Sequence, residues 1–186
     1  MKFSVLHISD LHRDLSDEVA NEWLLDSLAR DFDQFEEQVP KIIRPALCIV
    51  SGDLVHGVAP GTANIDTELR RQYAQVEELL VGLAERFFDG DRERVVILPG
   101  NHDVCLNDVM ASVQRIEIPI ESAMKAKLVA ELFASRSDLR WSWREMCFFR
   151  ITNHRMYRDR FRYFASTYSS FYQGKRTYQL APEQQF

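Results

Sequence analysis

The sequence has few cysteines and no long apolar run. Cys48, Cys105 and Cys147 are an odd set without Cys-x-x-Cys spacing, which favours free or buried thiols over disulfides or a zinc site. No apolar stretch approaches the roughly 18 residues that a membrane span needs. The first residues lead directly into a strand pattern and leave no room for a cleavable signal. We therefore expect a cytoplasmic protein that does not enter a membrane.

Histidine is also scarce, and the charge is unevenly distributed. The chain of 186 residues has five histidines, and His154 is the only one after position 102. Residues 136–176 contain ten basic and three acidic residues, so this segment has a net charge of +7 and the rest of the chain −12. With 46% hydrophobic and 27% charged residues, the chain can form one globular core, as one domain with an excursion or as part of a larger domain.

The first 103 residues alternate between strand and helix patterns. Apolar runs predict strands at 3–9, 46–50 and 94–98, and helical spacing predicts helices at 16–39, with Ser16 as N-cap, and at 66–88. This alternation indicates an α/β unit, with a parallel sheet of β-α-β type that is covered on both faces. Residues 120–172 show mostly helical spacing, and 177–180 predict a short strand. We therefore expect a core at 1–103 and a helical, arginine- and aromatic-rich cap or insert at 104–186.

Each of the first three predicted strands is followed by a short polar motif. The motifs are Asp10-Leu11-His12, Gly52-Asp53-Leu54-Val55-His56 and Gly100-Asn101-His102-Asp103. The carboxyl ends of parallel strands share one edge of a sheet. We therefore expect the three motifs to lie in one cleft.

These residue types suit a pair of divalent cations that cleaves a phosphoester. Two cations about 3.5–4 Å apart can bind the phosphate and the attacking hydroxide together. Asp10 and His12 are two residues apart at a strand end, so they can share one metal. Asp53 is placed to bridge both metals, and Asn101 can supply an amide oxygen to the second.

The remaining polar residues of the motifs suit proton transfer and phosphate contact. His102 is next to Asn101 and points differently, so we expect it to donate a proton to the leaving oxygen or to contact phosphate. Asp103 is expected to orient the His102 imidazole and to raise its pKa. His56 is expected to support the site or to face the phosphate. We expect structural roles for His7 and a surface or packing role for His154.

The three motifs, in this order and spacing, resemble the calcineurin-like metallophosphoesterase family. The resemblance covers residues 1–103. It implies a fold of two packed β-sheets flanked by helices, with Asp10 and His12 on the first metal, Asp53 bridging and Asn101 on the second. It also implies that His102 is the catalytic histidine and is paired with Asp103. Substrates of the family range over phosphoproteins, nucleotides, cyclic nucleotides, phospholipids and nucleic acids.

The chain departs from the family in its later part. A further histidine after a later strand and a Gly-His-x-His segment normally complete the two metal sites, and the chain has neither. The first metal then keeps three protein ligands and the second keeps two. We expect two divalent ions, manganese before iron or zinc, at weak or single occupancy. We also expect that the chain is truncated or that another polypeptide or further domain completes it.

Two functions follow from these features. The first is a metal-dependent phosphoester hydrolase, incomplete in this chain, with phosphodiesters such as nucleic acids or nucleotides favoured over phosphoproteins. The second is a catalytically degenerate fold that binds nucleic acid or a protein in a larger bacterial assembly. The basic, aromatic segment at 136–176 suits nucleic-acid backbones and stacked bases. The alternative is an amphipathic cap whose aromatic residues form a core and whose arginines pair with the acidic remainder.

Overall fold

The computed structural model describes residues 3–14, 16, 19–38 and 41–180. Two compact units are present: one contains the residues up to Cys105 and those from Phe161 onward, and the other is Leu106–Arg160. The first unit therefore extends two residues beyond the expected core limit at 103. The segment from Phe161 belongs with this unit and not with the insert.

Twelve helices and strands follow one another in the described residues. They are β1 (Ser4–Ser9), α1 (Asn21–Glu37), β2 (Pro45–Ser51), α2 (Ile65–Phe88), β3 (Val95–Leu98), α3 (Leu106–Ala111), β4 (Val113–Ile116), α4 (Ser122–Leu132), β5 (Leu139–Ser142), β6 (Cys147–Ile151), α5 (His154–Asp159) and α6 (Arg162–Phe171). In the part of the chain described, none of the helices is long and apolar enough to cross a membrane.

The first unit contains a parallel sheet with the strand order β1-β2-β3. These strands and α2 confirm the β-α-β pattern predicted from the sequence. Pro45 is the first residue of β2, a position where its missing N–H is tolerated. Helix α1 begins at Asn21, later than predicted, because the backbone of Ala20 is extended. Residues 17, 18 and 39 of the predicted helix lie outside the described residues.

One face of this sheet forms the core of the first unit. Leu6, Cys48 and Val50 pack in one buried cluster with α2 and α6. Helix α2 presents a continuous apolar stripe to this cluster, at the helical spacing that the sequence indicates: Leu69, Tyr73, Val76, Leu80 and Leu83. The site loops are therefore carried by a rigid sheet and helix.

The opposite face of the sheet is exposed in the described residues, and the prediction that both faces are covered is wrong there. Side chains alternate between the two faces of a strand, so Val5 and Leu98 point away from the helices. Val5 is 41% exposed and Leu98 is 49% exposed. Leu47 and Ile49 of β2 are only partly buried. Parallel sheets normally have both faces covered, so this apolar face is unusual.

The second unit contains the helices α3, α4 and α5, and also a sheet that the helical spacing did not predict. Its core is an antiparallel sheet with the order β4-β6-β5. Trp141 and Phe148 lie opposite each other on β5 and β6, with ring centroids 4.8 Å apart. Such aromatic cross-strand pairs stabilise a sheet. Short apolar runs do not distinguish helix from strand by periodicity alone, which explains the error.

The segment after Asp159 supports the cap alternative for its aromatic residues. Tyr163, Phe164, Phe171 and Tyr172 are buried in the core of the first unit. Residues 177–180 do not form the predicted strand. Tyr178 instead packs on the Phe164 ring, with centroids 4.8 Å apart. Tyr178 also contacts the rings of Phe161 and Tyr168, so side-chain packing contributes to the placement of this segment.

Candidate metal centre

The first two motif loops continue the pairing of β1 and β2 beyond the strand ends. The His12 N–H donates to the Asp53 carbonyl (2.9 Å), and the Arg13 N–H donates to the Leu54 carbonyl (3.0 Å). The two loops therefore leave the sheet side by side. This arrangement brings the side chains of Asp10, His12 and Asp53 to one place.

Ligand atoms of these three residues all lie within 4.8 Å of one another. His12 Nε2 lies 3.9 Å from Asp10 Oδ1 and 4.0 Å from Asp53 Oδ2. These distances are too long for hydrogen bonds. Two ligands that each bind a common ion at about 2.0–2.2 Å lie up to roughly 4.4 Å apart, so the distances from His12 to each carboxylate fit a shared cation. The two carboxylates and one imidazole are a donor set suited to Mn²⁺, Fe²⁺ or Zn²⁺.

The backbone is strained at each of these three positions. Asp10, His12 and Asp53 have φ values of 55°, 43° and 48°, in the left-handed region that residues other than glycine rarely adopt. Such conformations cost energy and cluster at functional sites, where the surrounding structure maintains them. The strain supports a functional role for the cluster.

Gly100 allows the third loop to approach Asp53 closely. A Cβ at position 100 would lie 2.2 Å from Asp53 Oδ1 and 2.3 Å from its backbone nitrogen. The His102 N–H donates to Asp53 Oδ1 (2.9 Å), which leaves Oδ2 facing His12. Gly100 is therefore needed for the close approach of the two backbones.

Asp103 connects the second and third loops through the backbone. Its carboxylate is 1% exposed. It accepts hydrogen bonds from the N–H groups of Leu54 (3.0 Å), Val55 (3.2 Å) and Gly100 (2.7 Å). Burial raises the pKa of Asp103, against the lowering effect of these three donors. The expected pairing of Asp103 with the His102 imidazole is not what the structure shows, because this carboxylate binds backbone N–H groups instead.

The His102 imidazole is held by a carbonyl group. Its Nδ1 lies 2.7 Å from the His56 carbonyl oxygen. The His102 ring is in edge contact with the His12 ring, with centroids 4.7 Å apart, and His56 lies 6.2 Å from His12 by the same measure. The three imidazoles, one from each motif, therefore lie close together, with ring centroids no more than 6.3 Å apart.

The structure also shows the positions of the other predicted residues, Asn101, His7 and His154. The Asn101 side chain is exposed, one residue before the His102 N–H that contacts Asp53. His7 is on the exposed face of β1, where its Nε2 lies 2.7 Å from Ser51 Oγ. His154 lies in the second unit, 3.5 Å from Asp138. These contacts are consistent with the structural role expected for His7 and the surface role expected for His154.

Sequence reasoning missed two residues of α2 that contact the loops. The Tyr73 hydroxyl donates to the Asp103 carbonyl (3.0 Å). Gln72 makes hydrogen bonds to Gly57 and Asp14. The available signal was a glutamine at a buried position of an amphipathic helix, because a buried amide needs partners.

Comparison with known proteins identifies the family of the chain. No curated protein matches the chain. A family model, described as calcineurin-like phosphoesterase, matches residues 3–179. The match covers nearly the whole chain and includes the second unit, which the motif resemblance did not reach. The chain belongs to the calcineurin-like phosphoesterase family.

Proposed function

We propose that this chain supplies the metal-binding half of a phosphodiester-cleaving site. Asp10, His12 and Asp53 bind the first divalent ion, and Asn101 joins Asp53 on the second. The observation that carries the proposal is the convergence of the three ligand side chains within 4.8 Å. Manganese is the favoured ion, with iron and zinc as alternatives.

Divalent ions held by these residues would supply positive charge to neutralise the phosphate and to lower the pKa of water. His102 donates a proton to the leaving oxygen from Nε2, since its Nδ1 is engaged with the His56 carbonyl. His56 faces the phosphate from the side of the second motif. Asp103 keeps the second and third loops together. In this role it acts through the backbone and not as an acid or base.

We also propose that further β-structure completes the site. The sequence has five histidines, of which His12, His56 and His102 lie at the cluster. The exposed apolar face of β1, β2 and β3 supports the same conclusion, because a parallel sheet is stable when both faces are covered. Additional residues of the same polypeptide, or a partner polypeptide, would cover this face and supply the missing imidazoles.

A phosphodiester, and nucleic acid in particular, is the favoured substrate. Trp143 lies in the turn between β5 and β6, is 80% exposed and precedes Arg144. An exposed indole beside a guanidinium suits a stacked base and its phosphate. Some other basic residues of the segment are already paired with carboxylates, as Arg150 is with Glu131 (2.5 Å). The nucleic-acid hypothesis therefore rests first on this turn.

Manganese-dependent hydrolysis of bis(4-nitrophenyl) phosphate tests the proposal. The chain is compared with a version that is extended at its carboxyl end, and each is tested as wild type, His12→Ala and His7→Ala. We expect turnover that requires manganese, is greater in the extended version, and is lost with His12→Ala only. If the extended version binds no metal and remains inactive, the enzyme hypothesis is wrong. Salt-dependent oligonucleotide binding without turnover would then favour the degenerate binding module.

A further inference from the structure

A buried amide on α2 contacts two of the motif loops. Gln72 is 3% exposed. Its Oε1 accepts a hydrogen bond from the Gly57 N–H (3.0 Å), and its Nε2 donates to the Gly57 carbonyl (3.3 Å). The same Nε2 donates to Asp14 Oδ1 (3.1 Å), just beyond the first motif. Gln72 therefore binds both the N–H and the carbonyl group of Gly57.

The peptide group between His56 and Gly57 connects Gln72 to His102. Its N–H belongs to Gly57 and donates to Gln72, and its carbonyl belongs to His56 and lies 2.7 Å from His102 Nδ1. The N–H and C=O of a trans peptide lie in one plane and point in opposite directions. Gln72 on one side therefore sets the direction of the carbonyl that holds His102 on the other.

Gly57 is the residue that permits this arrangement. Its φ is +82°, a conformation that a residue with a side chain rarely adopts, and an added Cβ would lie 3.2 Å from the His102 carbonyl oxygen. The loop is thus close-packed against the third motif. A change at either Gln72 or Gly57 would rotate the intervening peptide.

The carbonyl determines where the proton of His102 lies. A carbonyl oxygen only accepts hydrogen bonds, so Nδ1 must carry a hydrogen to bond to it. In the neutral ring, Nε2 then has the free lone pair, and in the protonated ring Nε2–H is the group available to a substrate. The direction of one peptide therefore selects the imidazole nitrogen that faces the reaction.

We propose that Gln72 is a positioning residue for His102, acting through the His56–Gly57 peptide. The proposal rests on the proposed role of His102 as proton donor. It assigns a task in the reaction to a helix residue outside the three motifs. The side chain of His56 has no part in it, because the contact uses the carbonyl group.

The test is the imidazole nitrogen spectrum of His102 in the metal-free, ¹⁵N-labelled chain at about pH 8. Wild type should show the Nδ1-protonated tautomer. Gln72→Met has a similar shape without the hydrogen-bonding groups, and it should show a mixture of tautomers. Two control variants should retain the wild-type signal. Gln75→Met is a matched change on the same helix, and His56→Ala retains the carbonyl group that contacts His102. A folded Gln72→Met protein with the wild-type signal would overturn the proposal.

Gly57→Ala provides a second route if Gln72→Met does not fold. It rotates the same peptide while leaving Gln72 in place. It should therefore also give a mixture of His102 tautomers, and an unchanged signal would overturn the proposal. In the active form, Gln72→Met should lower kcat about 10-fold for an alkyl leaving group and less than about 2-fold for 4-nitrophenolate, with little change in KM. A uniform loss for both leaving groups would indicate a structural role and contradict positioning. If the tautomer changes but no variant hydrolyses a phosphoester, the proposed function fails and the positioning role of Gln72 stands.

Discussion

Replacing Asp103 with asparagine should destabilise the fold while changing few atoms. The carboxylate accepts three backbone N–H groups, from Leu54, Val55 and Gly100. The amide oxygen of asparagine can still accept from Leu54 and Val55. Its NH₂ group must then face the Gly100 N–H, which now lies 2.7 Å from Oδ2. Two donors would face each other at the shortest of the three contacts.

The expected loss follows from this single contact. A hydrogen bond to a charged acceptor contributes about 1.5–3 kcal/mol, and an unsatisfied buried donor costs about 1–3 kcal/mol. Removing the charge offsets part of this loss, because burial disfavours the ionised form and raises the pKa of Asp103. We therefore expect Asp103→Asn to lower the free energy of unfolding by about 2–4 kcal/mol. For a chain of this size, Tm should fall by about 5–15 °C.

Urea unfolding followed by circular dichroism in metal-free buffer measures this change. Asp89→Asn is a matched control, because Asp89 is an exposed residue at the carboxyl end of α2 with φ +53°, which asparagine tolerates. Its effect should stay within about 0.5 kcal/mol. If Asp103→Asn also lost less than about 0.5 kcal/mol, the backbone-bonding role of Asp103 would be refuted. The outcome would then favour the imidazole-orienting role that the sequence alone suggested.

Three further outcomes follow from the structure. Gly100→Ala should weaken Mn²⁺ binding at least about 10-fold, because the added Cβ would displace Asp53. Gly90→Ala is the control, since Gly90 also has a positive φ (+81°) but has open space around the added Cβ, and it should leave binding unchanged in the same titration. The three buried cysteines should resist a thiol reagent in the folded chain and react after denaturation, and rapid native labelling would contradict their burial. Burial raises the pKa of Cys48 from 9.0 to about 12. Its contribution to the unfolding free energy is therefore fully present below pH 9 and should be lost as the pH rises towards 12, which a denaturant series at increasing pH would detect.

The sequence was sufficient to predict the sheet and the convergence of Asp10, His12 and Asp53 at its edge. Each motif follows a strand pattern, and parallel strands bring their carboxyl ends together. Asp10 and Asp53 could therefore be placed in one cleft from the sequence alone. The strand β1 also contained a signal for its exposed face, since His7 and Ser9 alternate with Leu6 and Ile8. The prediction of two covered faces gave too little weight to that alternation.

The partner of His102 could not be predicted from sequence. Adjacent residues in a loop can point in opposite directions, so the neighbourhood of His102 and Asp103 in the chain does not make their side chains partners. The observed partner is a backbone carbonyl 46 residues away, and backbone groups have no sequence signature. The sheet of the second unit escaped prediction for another reason. Trp141 and Phe148 suit a helix and a strand equally well until their cross-strand contact is known.

Binding of Mn²⁺ to the chain, followed by electron paramagnetic resonance, tests the central claim most directly. We predict about one tightly bound ion per chain, because the described residues form one cluster of three ligands and the second proposed ion has only Asp53 and Asn101. Asp53→Asn should weaken binding at least about 10-fold, and Asp89→Asn should leave it unchanged. Binding that is absent in wild type, or equal in all three proteins, would contradict the assignment of Asp10, His12 and Asp53 as the metal site.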